Sequence, residues 1–276
     1  MVILGINAYH PDASVALVKD GILIWAAEEE RFNRIKHSSG FPKMALKACL
    51  DDTRVKPEAI DAVALSKNPR ANLWQKAAFI LKVRPDSAFI FDRLKVLHRS
   101  SRFEEDICQA LKVKPSFLKA KCIHVEHHQA HVASSFFVSG FRRAAFLSLD
   151  GMGDFSSALW GLGEENQLRA LGRIYFPHSA GFLYTAGTQF LGFLDFGDEY
   201  KVMGLAAYGK PVYLDAFRRM IRKKDGGKFE LDLSYFVHHN GRTKIRWEGG
   251  RPEQDLIYSS KWQKLFGNPR RWGGPV

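Results

Sequence analysis

Between the apolar runs Val15-Ala16-Leu17-Val18 and Ile22-Leu23-Ile24-Trp25 the chain reads Lys19-Asp20-Gly21. An Asp-Gly pair in that setting predicts a tight hairpin, because type I′ turns need positive φ at both central residues. An earlier apolar run, Val2-Ile3-Leu4-Gly5-Ile6, is broken by Tyr9-His10-Pro11-Asp12. The chain therefore opens strand, turn, strand, tight turn, strand. Helical periodicity follows from Pro42 to about Leu50, then a short strand at Ala62-Val63-Ala64-Leu65. Leu73 to Leu111 reads as helical with an interruption at Pro85, and Cys122 to Val125 as a strand entering a helix over Gln129 to Phe137.

Ala144 to Leu149 reads as a buried strand ending at Asp150, followed by a second antiparallel set at Ser156–Trp160 and Leu168–Tyr175. A helix over Ala180–Leu191 precedes a glycine-rich segment from Lys201 to Gly209. A basic helix (Leu214–Lys223), weak strands (Phe229–Leu233) and a terminal loop (Asn268–Val276) complete the reading. Mixed strands and helices with hairpins at the start predict an α/β layered fold. The opening unit has an echo at Phe146-Leu147-Ser148-Leu149-Asp150-Gly151, the pattern of a duplicated nucleotide-binding lobe.

Composition narrows the class. The 276 residues, 46% hydrophobic and 25% charged, suit one large domain or two modest ones. No apolar run approaches the roughly 18 residues of a membrane span, and Met1 to Gly5 has no signal-peptide character. Cys49, Cys108 and Cys122 are scattered, which excludes a disulfide framework and a zinc ribbon and predicts a reducing, cytoplasmic setting. The net charge is +12, with fourteen Lys or Arg against seven Asp or Glu after residue 210. That basic stretch suits phosphates or a solvated face. No nucleic-acid-binding pattern accompanies it, so no nucleic-acid partner is expected.

Five segments can carry chemistry. In His127-His128-Gln129-Ala130-His131, His127 and His131 are four apart and share a helix face, which suits capture of one metal ion. Asp150, at a strand end, is the candidate carboxylate ligand; a surface helix with adventitious histidines is the alternative. Asp150-Gly151-Met152-Gly153-Asp154 offers either glycine amides for a phosphate or an ordinary turn. His10, beside Asp12 and Ser14, is either a general base for a hydroxyl or part of a capped turn. Glu28 to His37 is either a solvated charged face or a grip on a polar substrate. Lys201 and Gly204, in Tyr200-Lys201-Val202-Met203-Gly204-Leu205, either support a phosphate or pack a helix on a strand.

These segments, with Gly5-Ile6-Asn7-Ala8-Tyr9-His10-Pro11-Asp12-Ala13-Ser14, resemble the O-carbamoyltransferases of the nodulation and antibiotic-tailoring type, in the right order from Met1 to about Arg271. The resemblance implies a Kae1-like fold of the actin, sugar-kinase and Hsp70 type. It places a first lobe at roughly 1–140 and the start of a second at roughly 141–276, and it makes the chain an N-terminal piece. It implies that a YrdC-like domain, in cis or in trans, makes carbamoyl-adenylate from carbamoyl phosphate and ATP. The Kae1-like portion then carbamoylates a hydroxyl of a small-molecule or sugar acceptor.

Residue by residue, His127, His131 and Asp150 resemble three iron ligands, His10 the acceptor-side base and Lys36 an acceptor-binding lysine. Asp150, with Gly151, Lys201 and Gly204, would face the nucleotide. The family's remaining carboxylate ligand and its YrdC-like domain have no counterpart in these residues. A kinase or ATPase of the same superfold, and a non-catalytic metal- or nucleotide-binding partner of a separate protein, are the competing readings.

Overall fold

The computed structural model describes residues 1–83, 103–114, 120–240, 243, 245–246 and 252–271. Pro85 and the end of the terminal loop, 272–276, lie outside the described residues. The chain divides into two compact units. The first comprises Met1–Pro69, Phe91–His127 and Arg246–Glu253; the second comprises Arg70–Ile90, His128–Ile245 and Gln254–Val276.

The first unit is built on five strands: β1 (Val2–Asn7), β2 (Ser14–Lys19), β3 (Ile22–Glu28), β4 (Ala62–Leu65) and β5 (Lys121–His124). Their order is β3-β2-β1-β4-β5. The first three are antiparallel, and β4 and β5 join in parallel. The predicted hairpin is present, with Asp20 at φ 50° and Gly21 at φ 83°. Side-chain alternation sends Leu4, Ile6, Val15, Leu17, Val63 and Leu65 to one face, where helices Lys43–Thr53 and Phe103–Leu111 cover them with Leu46, Cys49, Phe103 and Ile107. Full burial of each such side chain contributes about 1.5–3 kcal/mol. Glu28 to His37 is not a simple solvated face. Buried Glu29 accepts the amides of Met44 and Ala45 (3.0 and 2.7 Å), satisfying two of the orphan donors at a helix start.

The second unit holds the antiparallel sheet β6 (Arg143–Gly153), β7 (Ser156–Glu164) and β8 (Gln167–Tyr175). One face of β6 packs under helix His127–Phe136, whose Val132 and Phe136 join Leu159, Ala144 and Phe146. Phe136 lies so close to β7 that a Cβ at Gly163 would sit 2.6 Å from its ring. The opposite face is open: Leu147 and Leu149 are 65% and 54% exposed, so β6 is half-buried rather than the buried strand its apolar run predicts. A second, aromatic core gathers Phe79, Phe176, Phe182, Phe190, Phe236 and Trp262 around helix Ala180–Phe190.

Local detail refines the reading of the second unit. The glycine-rich segment Lys201–Gly209 begins inside a helix, Glu199–Ala206. The basic helix stops at Met220, and β9 (Ile221–Lys223) pairs instead with β10 (Phe229–Leu231) across the positive-φ pair Gly226-Gly227. Helix Lys261–Phe266, which the sequence reading does not anticipate, buries Trp262. Among the described residues no helix is long and apolar enough to cross a membrane.

Candidate metal centre

The helix that carries the histidine cluster starts at His127, two residues before the expected Gln129. His127 and His131 are therefore one turn apart on a single continuous element. His128 points elsewhere. It is fully buried, with Nδ1 2.8 Å from Ser148 Oγ on β6. Strand alternation places Ser148 and Asp150 on the same face of β6, so the bond that ties His128 to Ser148 also brings Asp150 under the next histidine. Asp150 Oδ2 lies 3.9 Å from His131 Nε2. One ligand atom from each of His127, His131 and Asp150 falls within 4.8 Å of the others.

The spacing of His131 and Asp150 is compatible with joint ligation of one divalent transition metal. Two ligand atoms on one ion with bonds of about 2.0–2.2 Å can stand up to about 4.3 Å apart, and the His131–Asp150 span is inside that limit. Two imidazoles and a carboxylate suit several first-row ions, iron among them. His127 is buried while His131 is exposed, so the group has a solvent side.

Asp150 is held from behind. Ser179 Oγ caps helix Ala180–Phe190 by accepting from Phe182 N (3.0 Å) and donates to Asp150 O (3.0 Å). A Cβ at Gly181 would stand 2.6–2.7 Å from Gly151 N and the Asp150 carbonyl, so the helix start abuts the strand backbone there. Sequence reasoning missed both. Ser179 before a helical run is a readable cap signal, but the contact of Gly181 with Asp150 is long-range and has no local signature. Gly151 is in the strand rather than in a turn, and its amide donates to Asp150 Oδ1 (2.6 Å). The turn itself falls at Asp154 and Phe155.

His10 sits in the turn after β1. Its ring centroid is 5.1 Å from that of His127. Its Nδ1 is 3.2 Å from Pro11 O, and in the tautomer that donates Nδ1–H to that carbonyl Nε2 is the basic nitrogen. Lys36 is exposed in the loop after helix Glu30–Asn33. Lys201 Nζ is 2.7 Å from the buried carboxylate of Asp198, and that bond pushes the ammonium pKa up. Gly204 faces open space. The thiols of Cys49 and Cys122 are pushed up to about 11, chiefly by burial, which makes them poor nucleophiles.

Residues 2–248 match the family described as Carbamoyltransferase N-terminus. An uncharacterized Synechocystis protein, sll1178, is 35% identical over 98% of this chain and 43% of its own length. Nodulation protein NolNO of Sinorhizobium fredii is 34% identical over 82% of this chain and 32% of its own. The chain thus spans less than half the length of these curated relatives. Among solved structures, YeaZ from Pseudomonas aeruginosa is 16% identical, with 64% of this chain and 69% of that one covered at a TM-score of 0.33. That likeness is too loose to build on.

Proposed function

The chain belongs to the carbamoyltransferase family, and from that premise we propose that it supplies the acceptor half of an O-carbamoyl transfer. In this reading the donor is carbamoyl-adenylate, made from carbamoyl phosphate and ATP by a YrdC-like module in cis or in trans. The acceptor is a hydroxyl of a small molecule or sugar. The observation that carries the reading is the approach of His10 to His127, ring to ring at 5.1 Å. A base without a metal ligand beside it, or a metal site without a base, would not favour acyl transfer in the same way.

His10 Nε2 takes the proton from the acceptor hydroxyl, and Lys36 helps seat the acceptor. The hydroxyl oxygen bonds to the carbamoyl carbon, the bond from that carbon to the phosphate oxygen breaks, and AMP leaves. Imidazole is the side chain best able to take up and release a proton near neutral pH. Asp150, His127 and His131 would hold a divalent ion, iron by family resemblance, which when bound supplies charge stabilisation for the carbamoyl or phosphate oxygens. Gly204, with open space where a side chain would stand, would admit the nucleotide closely, whereas Gly151 packs against Phe182 and gives its amide to Asp150. Lys201 would reach its phosphates only by releasing Asp198.

The test combines the purified chain, a YrdC-like partner, ATP, radiolabelled carbamoyl phosphate and a panel of sugars. Label should appear in a sugar. His10→Asn should lower that transfer by ~100-fold while pyrophosphate release from ATP is unchanged. Equal transfer by the variant would refute the role of His10, and label in no sugar would exclude sugars as the acceptor.

A further inference from the structure

Two segments of the first unit are built from residues in a costly backbone conformation. Tyr9 (φ 61°), Asp12 (φ 60°), Arg34 (φ 61°) and His37 (φ 56°) all have positive φ, and none is glycine. Each such residue is strained and persists only where its surroundings over-determine it. Here they do. Tyr9 N donates to Gly40 O and Ala13 N to Ser38 O, both at 2.9 Å. Asn7 Nδ2 donates to Pro11 O and Asp12 O (3.2 and 2.9 Å), and Asn33 Nδ2 to Ser38 Oγ (2.8 Å). Across this backbone frame His37 Nδ1 donates to Asp12 Oδ1 at 2.9 Å, while His37 N donates to Glu30 Oε2 at 2.9 Å.

The bridged residues flank the two acceptor-side candidates. His10 lies two positions before Asp12, and Lys36 immediately precedes His37. We propose that Asp12 and His37 are a positioning pair that holds the His10 turn and the Lys36 loop in one register. The proposal rests on the reading of His10 and Lys36 as acceptor-side groups. Asp12, Glu30 and His37 are close enough together to suggest a cation site. Hydrogen bonds within the frame already engage His37 Nδ1 and Glu30 Oε2, which favours a clasp over a ligand set. The left-handed backbone at Asp12 and His37 belongs to the same frame, in which main-chain bonds from Tyr9 and Ala13 also join the two segments.

The experiment uses the whole chain and needs no turnover. Carbethoxylation of His10 by diethyl pyrocarbonate and acetylation of Lys36 by acetic anhydride are followed by peptide mass spectrometry. Asp12→Ala and His37→Asn should each change the rate at both residues by at least ~3-fold, with rates at His178 and Lys228 unchanged. Asp12→Asn keeps an acceptor oxygen and should restore wild-type rates. Should Asp12→Ala not fold, Asp12→Gly decides in its place, since glycine takes φ near 60° without strain. In the transfer assay Asp12→Ala should raise the acceptor KM, leave pyrophosphate release unchanged and be rescued by Asp12→Asn. Rates at His10 and Lys36 unmoved by Asp12→Ala, or moved equally by Asp12→Asn, would overturn the proposal. Failure of the transfer reading itself would appear separately, in the His10→Asn assay.

Discussion

His238 should make the second unit acid-sensitive. It is buried, 4.6 Å ring to ring from Phe182 and 5.7 Å from both Phe176 and Phe236. Its Nε2 is 2.9 Å from Pro177 O, so the neutral ring donates one good hydrogen bond. Burial pushes its pKa down to about 4, the Pro177 bond opposes that, and His239 and His178 add to the lowering. In the unfolded chain the imidazole has its ordinary value near 6.5. The folded state therefore prefers the neutral ring. The stabilisation is complete above pH 6.5 and is lost as pH falls from there toward 4. At 1.36 kcal/mol per pH unit, that window is worth about 3 kcal/mol. His238→Gln removes the titration and keeps an N–H that can reach Pro177 O. Urea unfolding at pH 7.5 and pH 4, read by amide exchange over Leu231 to Phe236, measures the difference. The wild type should lose about 3 kcal/mol more than the variant across that interval. Parallel losses would show that His238 is not a buried neutral histidine.

Two further outcomes concern the metal centre. Elemental analysis of the purified chain should find a transition metal that disappears in a His127→Ala, His131→Ala double variant; equal metal in both would sink the ligand assignment. Gly181→Ala should cost about 1–3 kcal/mol, because its Cβ would meet the Asp150–Gly151 backbone, and should also lower metal content without touching a ligand. Unchanged melting and metal content would show that the helix start can retreat freely.

What could be read from the residues followed range of interaction. Ala62–Leu65 and the Asp20-Gly21 hairpin depend on local pattern and turn chemistry, and both lie where expected. The glycine-rich segment Lys201–Gly209 has no secondary structure legible from its glycines, yet Val202, Met203, Leu205 and Ala206 suffice for two helical turns, and Gly204 is tolerated inside them. Asp215, Arg218 and Arg219 fit a basic helix, but the strand pairing of Ile221–Lys223 with Phe229–Leu231 is a tertiary choice that overrides it. Glu29 was hidden for the same reason. Its carboxylate sits in a run of three glutamates, and only the arrival of Met44 and Ala45 separates it from its neighbours.

The histidine cluster shows how one local pattern divides into different roles. Spacing alone groups His127 with His131 and turns His128 away, but it cannot say what His128 meets. The answer comes from β6, where residues two apart face the same way. Ser148 takes the buried histidine, and Asp150, two residues on, comes under the exposed one. A helix slipped by one residue on that strand would put His127 or Gln129 into the buried slot and misalign the remaining donors. The bond between His128 and Ser148 therefore fixes the register on which the geometry of His127, His131 and Asp150 depends, although neither residue is a candidate ligand.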